Sequence, residues 1–260
     1  MNSSITHLSS LLFETTPDYN TNLQTLLTLI KQTPINSIVV APEVCLTGFD
    51  YDNFEEVLSF AKLANAEIQK ASQGRVVILT VIEKKEEKIY NLAKVFYNQE
   101  LVHERRKARL FHFGGEGKYF SEGIDEDVCI IEVAGVKLAI LVCFELRFKA
   151  LWQRVEGADV IAVPAWWGVS RSEHYKSLTQ TLAIMNQCYV IASDSLNAEC
   201  SKMSAIITPQ GKVHYNGNKP CLEALYNKKE IALMRRYMDV GIKQFGQNNS
   251  NKDSETSGRV

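Results

Sequence analysis

Three side chains of this sequence stand where a nucleophile, a proton carrier and a cation would be useful to one another. Cys143 closes the apolar run Leu138-Ala139-Ile140-Leu141-Val142 and precedes Phe144-Glu145-Leu146-Arg147, which reads as the start of a helix. A thiol at such an elbow meets backbone N–H groups that are expected to lower its pKa and to hold an oxyanion. Taken alone, a cysteine in an apolar run is better read as a small core residue. Glu43 follows Val39-Val40-Ala41-Pro42, at the C-terminal edge of a strand, where the sites of α/β proteins collect. Its plainer reading is a solvated turn residue. Lys107 belongs to the basic run Arg105-Arg106-Lys107-Ala108-Arg109, which reads as a wet surface unless one lysine turns inward to stabilise an oxyanion. The loop beyond it carries Gly114, Gly115 and Gly117. Glu116 and Tyr119 line a site there, or the glycines only make a turn.

The elements that must position these residues follow from periodicity. Residues 37–40 predict a short buried strand, and Val57, Ala61, Ala64 and Ile68 place an amphipathic helix over 54–71. Residues 74–82 and 89–97 predict two strands, joined as a hairpin through the charged segment 84–88. A second pair, 128–133 and 136–143, flanks Ala134-Gly135, and its second member is apolar enough to be covered on both faces. A helix over 147–156, a strand over 159–164 and a helix over 172–187 come next. The last helix shows Tyr175, Leu178, Leu182 and Met185 on one stripe. Strands at 189–192 and 204–208 complete the set, the second stopped by Pro209-Gln210-Gly211. Alternating strands and helices with added hairpins predict an α/β fold of mixed sheets covered by helices. One domain is expected over 1–245, with a polar, disordered tail over 246–260.

Composition removes several classes of function. A chain of 260 residues with 29 basic and 30 acidic side chains has no basic excess to suggest nucleic acid. The six cysteines form no C-x-x-C pair, and the five histidines (His7, His103, His112, His174, His214) lack ligand spacing, so neither metal nor cofactor is expected. Neither a signal peptide nor a membrane span is read, and a cytoplasmic location is the expectation.

The motifs act in combination. Pro42-Glu43 with Leu46-Thr47-Gly48-Phe49, then Arg106-Lys107-Ala108-Arg109-Leu110-Phe111, then Leu141-Val142-Cys143-Phe144-Glu145-Leu146-Arg147-Phe148 together resemble the nitrilase superfamily of carbon–nitrogen hydrolases, in that family's order. Val163-Pro164 before Trp166-Trp167, His174-Tyr175, and Asn186-Gln187-Cys188-Tyr189-Val190 extend the likeness over residues 5–240. The resemblance implies a four-layer α-β-β-α sandwich. It also implies a catalytic set of Glu43 as general base, Cys143 as nucleophile and Lys107 as oxyanion stabiliser, aided by the backbone N–H of Phe144. Glu116 fits the place of the family's second glutamate. The substrate implied is a small amide, with water as co-substrate, and the chain is expected to be at least a dimer.

The loops resemble the ω-amidase-like branch, which removes the terminal amide of small dicarboxylic acid monoamides. Arg171 is placed to pair with a substrate carboxylate, or else faces solvent; Trp166 and Trp167 wall the pocket or fill the core. The chain departs from the family pattern at Arg109, where histidine is common. It departs again at Leu182 and Met185, which replace an oppositely charged pair. An aliphatic amidase, a carbamoyl-amine hydrolase, a nitrilase, or a catalytically silent binding protein on the same fold are the rival readings.

Overall fold

The computed structural model describes residues 4–217 and 219–242; the tail expected at 246–260 lies outside the described residues. Among them, two six-stranded sheets stack face to face. The first contains β1 (His7–Leu11), β2 (Ser37–Val40), β3 (Arg75–Lys85), β4 (Lys88–Tyr97), β5 (Glu100–Arg106) and β12 (Cys221–Leu225), in the order β12-β1-β2-β3-β4-β5. The second contains β6 (Ile131–Val133), β7 (Val136–Ile140), β8 (Val160–Pro164), β9 (Tyr189–Ser193), β10 (Ala205–Ile207) and β11 (Val213–Tyr215), in the order β11-β10-β9-β8-β7-β6. Each has three parallel strands at its heart (β1-β2-β3 and β7-β8-β9) with antiparallel strands added outside.

The alternation of side chains along a strand decides what packs where. In β2, Ile38 and Val40 join the core between the sheets, while Val39 turns outward. The outward face is covered by α1 (Tyr19–Gln32) and α2 (Phe54–Ala71) through Leu23, Leu26, Ile30, Ala61, Ala64 and Ile68. Burying such faces on both sides stabilises the sheet by about 25 cal/mol per Å² of apolar surface removed from water. α3 (Lys149–Arg154) and α4 (Ser172–Asn186) pack on the second sheet, and α5 (Lys228–Tyr237) follows β12. The layer order is therefore α-β-β-α, as expected. Between the sheets, Ser10 Oγ donates to the Ala192 carbonyl and Ser193 Oγ to that of Leu11, each at 2.7 Å. These bonds satisfy buried hydroxyls while fixing β1 against β9.

Several boundaries differ from the sequence reading. β7 stops at Ile140 and β6 begins only at Ile131. The helix expected over 147–156 shrinks to Lys149–Arg154, because Cys143–Arg147 forms a 3₁₀ turn instead. On α4, Tyr175 and Leu182 are buried, but Met185 is 61% exposed and Thr179 takes the inner position. The Ala134-Gly135 turn is as read, both residues having positive φ, which suits the twist of a two-residue hairpin.

Candidate active site

The chemistry collects at the C-terminal ends of the parallel strands, where chains leave the sheets and backbone groups become free. Glu43 leaves β2 at such an end, fully buried. Beside it Val44 has φ of 43°, a conformation costly for a β-branched residue, and its N–H donates to Thr80 Oγ1 of β3 at 2.7 Å. Cys143 leaves β7 in the same way, with φ of 45°. Strained backbone thus lies at Cys143 itself and at the residue next to Glu43, and the surroundings must hold both.

Glu145 supplies much of that hold around Cys143. Its carboxylate accepts the N–H of Val142 at 2.7 Å and that of Ala108 at 2.6 Å, flanking Cys143 and Lys107 respectively. The Arg105 guanidinium closes on it bidentately at 2.8 and 2.6 Å, and all of these groups are buried. One carboxylate therefore ties the lysine-bearing strand to the cysteine turn. Glu145→Ala leaves the Arg105 charge without its partner and two N–H groups unsatisfied. A loss of about 3–5 kcal/mol is expected, read as a lowered urea midpoint.

Lys107 lies between two carboxylates. Its ammonium donates to Glu43 Oε1 at 2.7 Å and to Glu116 Oε1 and Oε2 at 2.8 and 2.9 Å, all within the interior. Burial works against the ammonium, but Glu43 and Glu116 outweigh it and hold its pKa above the ordinary lysine value. Asn91 of β4 donates a second bond to Glu43 Oε1 at 2.8 Å, and the Trp166 N–H reaches Oε2 at 3.2 Å. Burial raises the pKa of Glu43, the Lys107 charge opposes that rise, and Glu116 adds to it. The Cys143 thiol donates to the Trp166 carbonyl at 3.7 Å and lies within reach of the Glu43 charge.

One expectation is corrected here. The elbow does not lower the pKa of Cys143: burial, then the negative charge of Glu43, hold it well above the ordinary thiol value. A few backbone dipoles at a short 3₁₀ turn do not offset desolvation beside a carboxylate. The thiol is held neutral, with the Glu43 carboxylate beside it.

The thiol opens into a narrow cleft bordered by Phe111, Phe144, Arg147, Trp166, Trp167, Gly168 and Arg171. Phe144, Trp166, Trp167 and Arg171, four of the five residues expected to bind substrate, border this cleft. Trp167 is also core, 3% exposed, with its ring against Tyr175 and its indole N–H donating to the Arg171 carbonyl at 2.8 Å. Tyr119 stands one layer back, outside the cleft lining, its ring stacked on Tyr51 at 4.1 Å and 41% exposed. Burial and then Glu116 raise the pKa of Tyr51.

Arg147, Phe111, Asn91 and Glu145 were not singled out from sequence. Arg147 and Glu145 belonged to a motif quoted for another residue. Asn91 had a signal of its own, a polar side chain inside the apolar run Ile89-Tyr90-Asn91-Leu92-Ala93, which folding tolerates only with a partner. Among the described residues no group of three or more His, Cys, Asp or Glu is placed to hold a metal ion. No described helix is long and apolar enough to cross a membrane.

A sandwich of two mixed sheets between helices, with a thiol, a lysine and a carboxylate just past strand ends and a second carboxylate brought in by a loop, defines a hydrolase class. The chain belongs to the carbon-nitrogen hydrolase family, which it matches over residues 5–219. It is 30% identical over 201 residues to a 2-oxoglutaramate amidase of Bacillus subtilis, covering 73% of this chain and 76% of that one. To the omega-amidase YafV of Escherichia coli it is 26% identical over 208 residues, covering 78% and 80%. Its fold matches that of a CN-hydrolase superfamily protein of Xanthomonas campestris bearing an arsenic adduct in its active site. That match has a TM-score of 0.80 at 18% identity, over 98% of this chain and 100% of the other.

Proposed function

We propose that this protein is a small-molecule amidase that hydrolyses the terminal amide of a small dicarboxylic acid monoamide through a thioester on Cys143. The observation that carries the reading is the Lys107 ammonium, locked between Glu43 and Glu116 beside a neutral thiol. Glu43 takes the thiol proton as Sγ attacks the amide carbon, so charge develops on the substrate oxygen and not on a resting thiolate. Lys107 and the Phe144 N–H stabilise that oxyanion. Protonated Glu43 gives its proton to the departing nitrogen, ammonia leaves, and a thioester remains. Glu43 then takes a proton from water, the hydroxide attacks the thioester, and the released sulfur recovers the proton. Glu116 keeps Lys107 charged and in register throughout.

Two guanidinium groups support the substrate class. Arg147 and Arg171 border the cleft, and among the described residues neither is paired with a carboxylate. Arg147 lies over the Trp167 ring at 4.9 Å and hydrogen-bonds His174 Nδ1 at 3.0 Å, whereas Arg171 lies over the Phe111 ring at 5.2 Å with only a long 3.4 Å bond to Ser170 Oγ, which leaves Arg171 the better placed to meet a carboxylate. The Bacillus subtilis relative, a 2-oxoglutaramate amidase, supports an acid amide as the substrate. Arg171→Leu should raise KM for 2-oxoglutaramate or succinamate by roughly 10- to 100-fold, the worth of a charge-assisted hydrogen bond. It should leave kcat/KM for a neutral aliphatic amide unchanged, with ammonia release as the measurement. An equal loss on both substrates removes the carboxylate assignment, and no ammonia from any acid amide removes the ω-amidase reading. The same proposal places the enzyme in the cytoplasm, consistent with six unpaired cysteines. It also takes the chain as a homo-oligomer, for which the apolar groove lined by Trp152, Leu178, Met185 and Val240 offers a surface.

A further inference from the structure

Asp194, just beyond β9, is fully buried and has no part in the reaction described above. Its Oδ1 accepts the backbone N–H of Trp167 at 2.8 Å, and its Oδ2 accepts the Ser201 hydroxyl. Its own N–H donates to Ser204 Oγ at 3.2 Å. The two loops so joined are laced further: Ser201 N–H donates to the Trp167 carbonyl at 2.7 Å and Val169 N–H to that of Glu199 at 2.8 Å. Gly168 and Cys200 form an antiparallel bridge between them.

What hangs on this lacing is Trp166. Its carbonyl faces the Cys143 thiol at 3.7 Å, and its N–H reaches Glu43 Oε2 at 3.2 Å. One backbone residue therefore touches both nucleophile and base, and Asp194 grips the next residue along. Among the described residues no lysine, arginine or histidine forms an ion pair with Asp194. The titratable groups facing it are Tyr175 of α4, whose hydroxyl donates to the Val163 carbonyl, and Cys200 of its own loop. A buried carboxylate held only by dipoles is costly, and an amide would fill the same space without the charge.

We propose that Asp194 is a positioning residue: its carboxylate holds the Trp166–Gly168 backbone where Trp166 meets Cys143 and Glu43, and its protonation loosens that hold. The bond to the Trp167 N–H is charge-assisted only while Asp194 is ionised, and such bonds have roughly twice the strength of neutral ones. On protonation, the proton on Oδ2 is donated to Ser201, whose hydroxyl must then turn to another acceptor. Burial pushes Asp194 up to about 7, so the two forms exchange near neutrality.

Tryptophan labelling tests this directly, because the chain has only 3 tryptophans and gives three backbone amide signals from [15N]Trp. The Trp167 amide should move with a midpoint near neutral pH in the parent and stay still in Asp194→Asn. Ser201→Ala, which removes one donor from the carboxylate, should shift that midpoint upward. The Asp194→Asn enzyme should lose about 10- to 100-fold in kcat at alkaline pH, the scale of a small misplacement at a reacting centre. KM should change less. Its thermal midpoint at the same pH should be equal to or above the parent's, because a buried unpaired charge is gone. A Trp167 signal that titrates identically in Asp194→Asn, or a variant keeping the parent's kcat, overturns the proposal. The turnover arm rests on the amidase reading; the amide-signal arm needs no substrate and stands or falls without it.

Discussion

Cys143→Ala is expected to lower turnover by on the order of 10⁴- to 10⁶-fold, the range seen when a covalent nucleophile is removed, and to leave the fold intact. The residue is 7% exposed and its side chain is small, so the exchange removes one sulfur and no large contact. Alanine meets the same backbone strain at φ of 45° as cysteine does. Stability should change by no more than about 1 kcal/mol, while ammonia release disappears. Intact-mass measurement during turnover separates the explanations. The parent should gain the mass of the acyl group on Cys143, and the variant should gain nothing. Electrophilic labelling that persists in Cys143→Ala at the parent's rate shows that another group is the nucleophile.

The pH behaviour of the parent sharpens the same point. Burial and Glu43 hold the thiol neutral, so the proposed mechanism needs a protonated Cys143 with an ionised Glu43. An enzyme working through a preformed thiolate gains rate as its thiol ionises. This one should lose rate on the acid side, as Glu43 takes up a proton before the thiol can give one.

The parts of the site read in sequence were those whose position the local pattern controls. Glu43 and Cys143 each end an apolar strand, and strand ends face the sheet's C-terminal edge whatever the rest of the chain does. Glu116 and Lys107 were linked by motif order, and the structure brings all four side chains together. What stayed hidden was long-range or competitive. The Arg105–Glu145 pair joins β5 of one sheet to the turn that follows β7 of the other, and nothing local shows that a basic run should turn two of its members, Arg105 and Lys107, inward. The pKa direction of Cys143 was misread because dipoles can be inferred from an elbow, whereas depth of burial cannot. β1 and α1 were passed over. The cue lay in Asp18, whose side chain accepts the Thr21 N–H ahead of Leu23, Leu26 and Ile30 at helical spacing. Met185 failed on the expected stripe because α4 presents Thr179 and Asn186 to the sheet instead.

Lys107→Met tests the charge arrangement more severely than any change to the thiol. Methionine matches the length of the stem and removes only the ammonium, leaving Glu43 and Glu116 buried with no cation between them. Two carboxylates in that position cannot both stay ionised, so at least one takes up a proton. The base is then occupied and an oxyanion donor is lost. A fall in kcat/KM of about 10²- to 10³-fold is expected from the donor alone. Stability should fall by about 3–5 kcal/mol at alkaline pH, the cost of an uncompensated buried charge. The sign of the pH dependence is fixed. A carboxylate whose folded pKa is raised above its unfolded value contributes stability below the unfolded pKa, and loses it as pH rises through the folded one. The variant should therefore approach the parent in mildly acid urea denaturation and fall progressively further behind as pH rises. A stability gap that stays constant over that range means that Glu43 and Glu116 do not share a buried charge, and the role given to Lys107 fails with it.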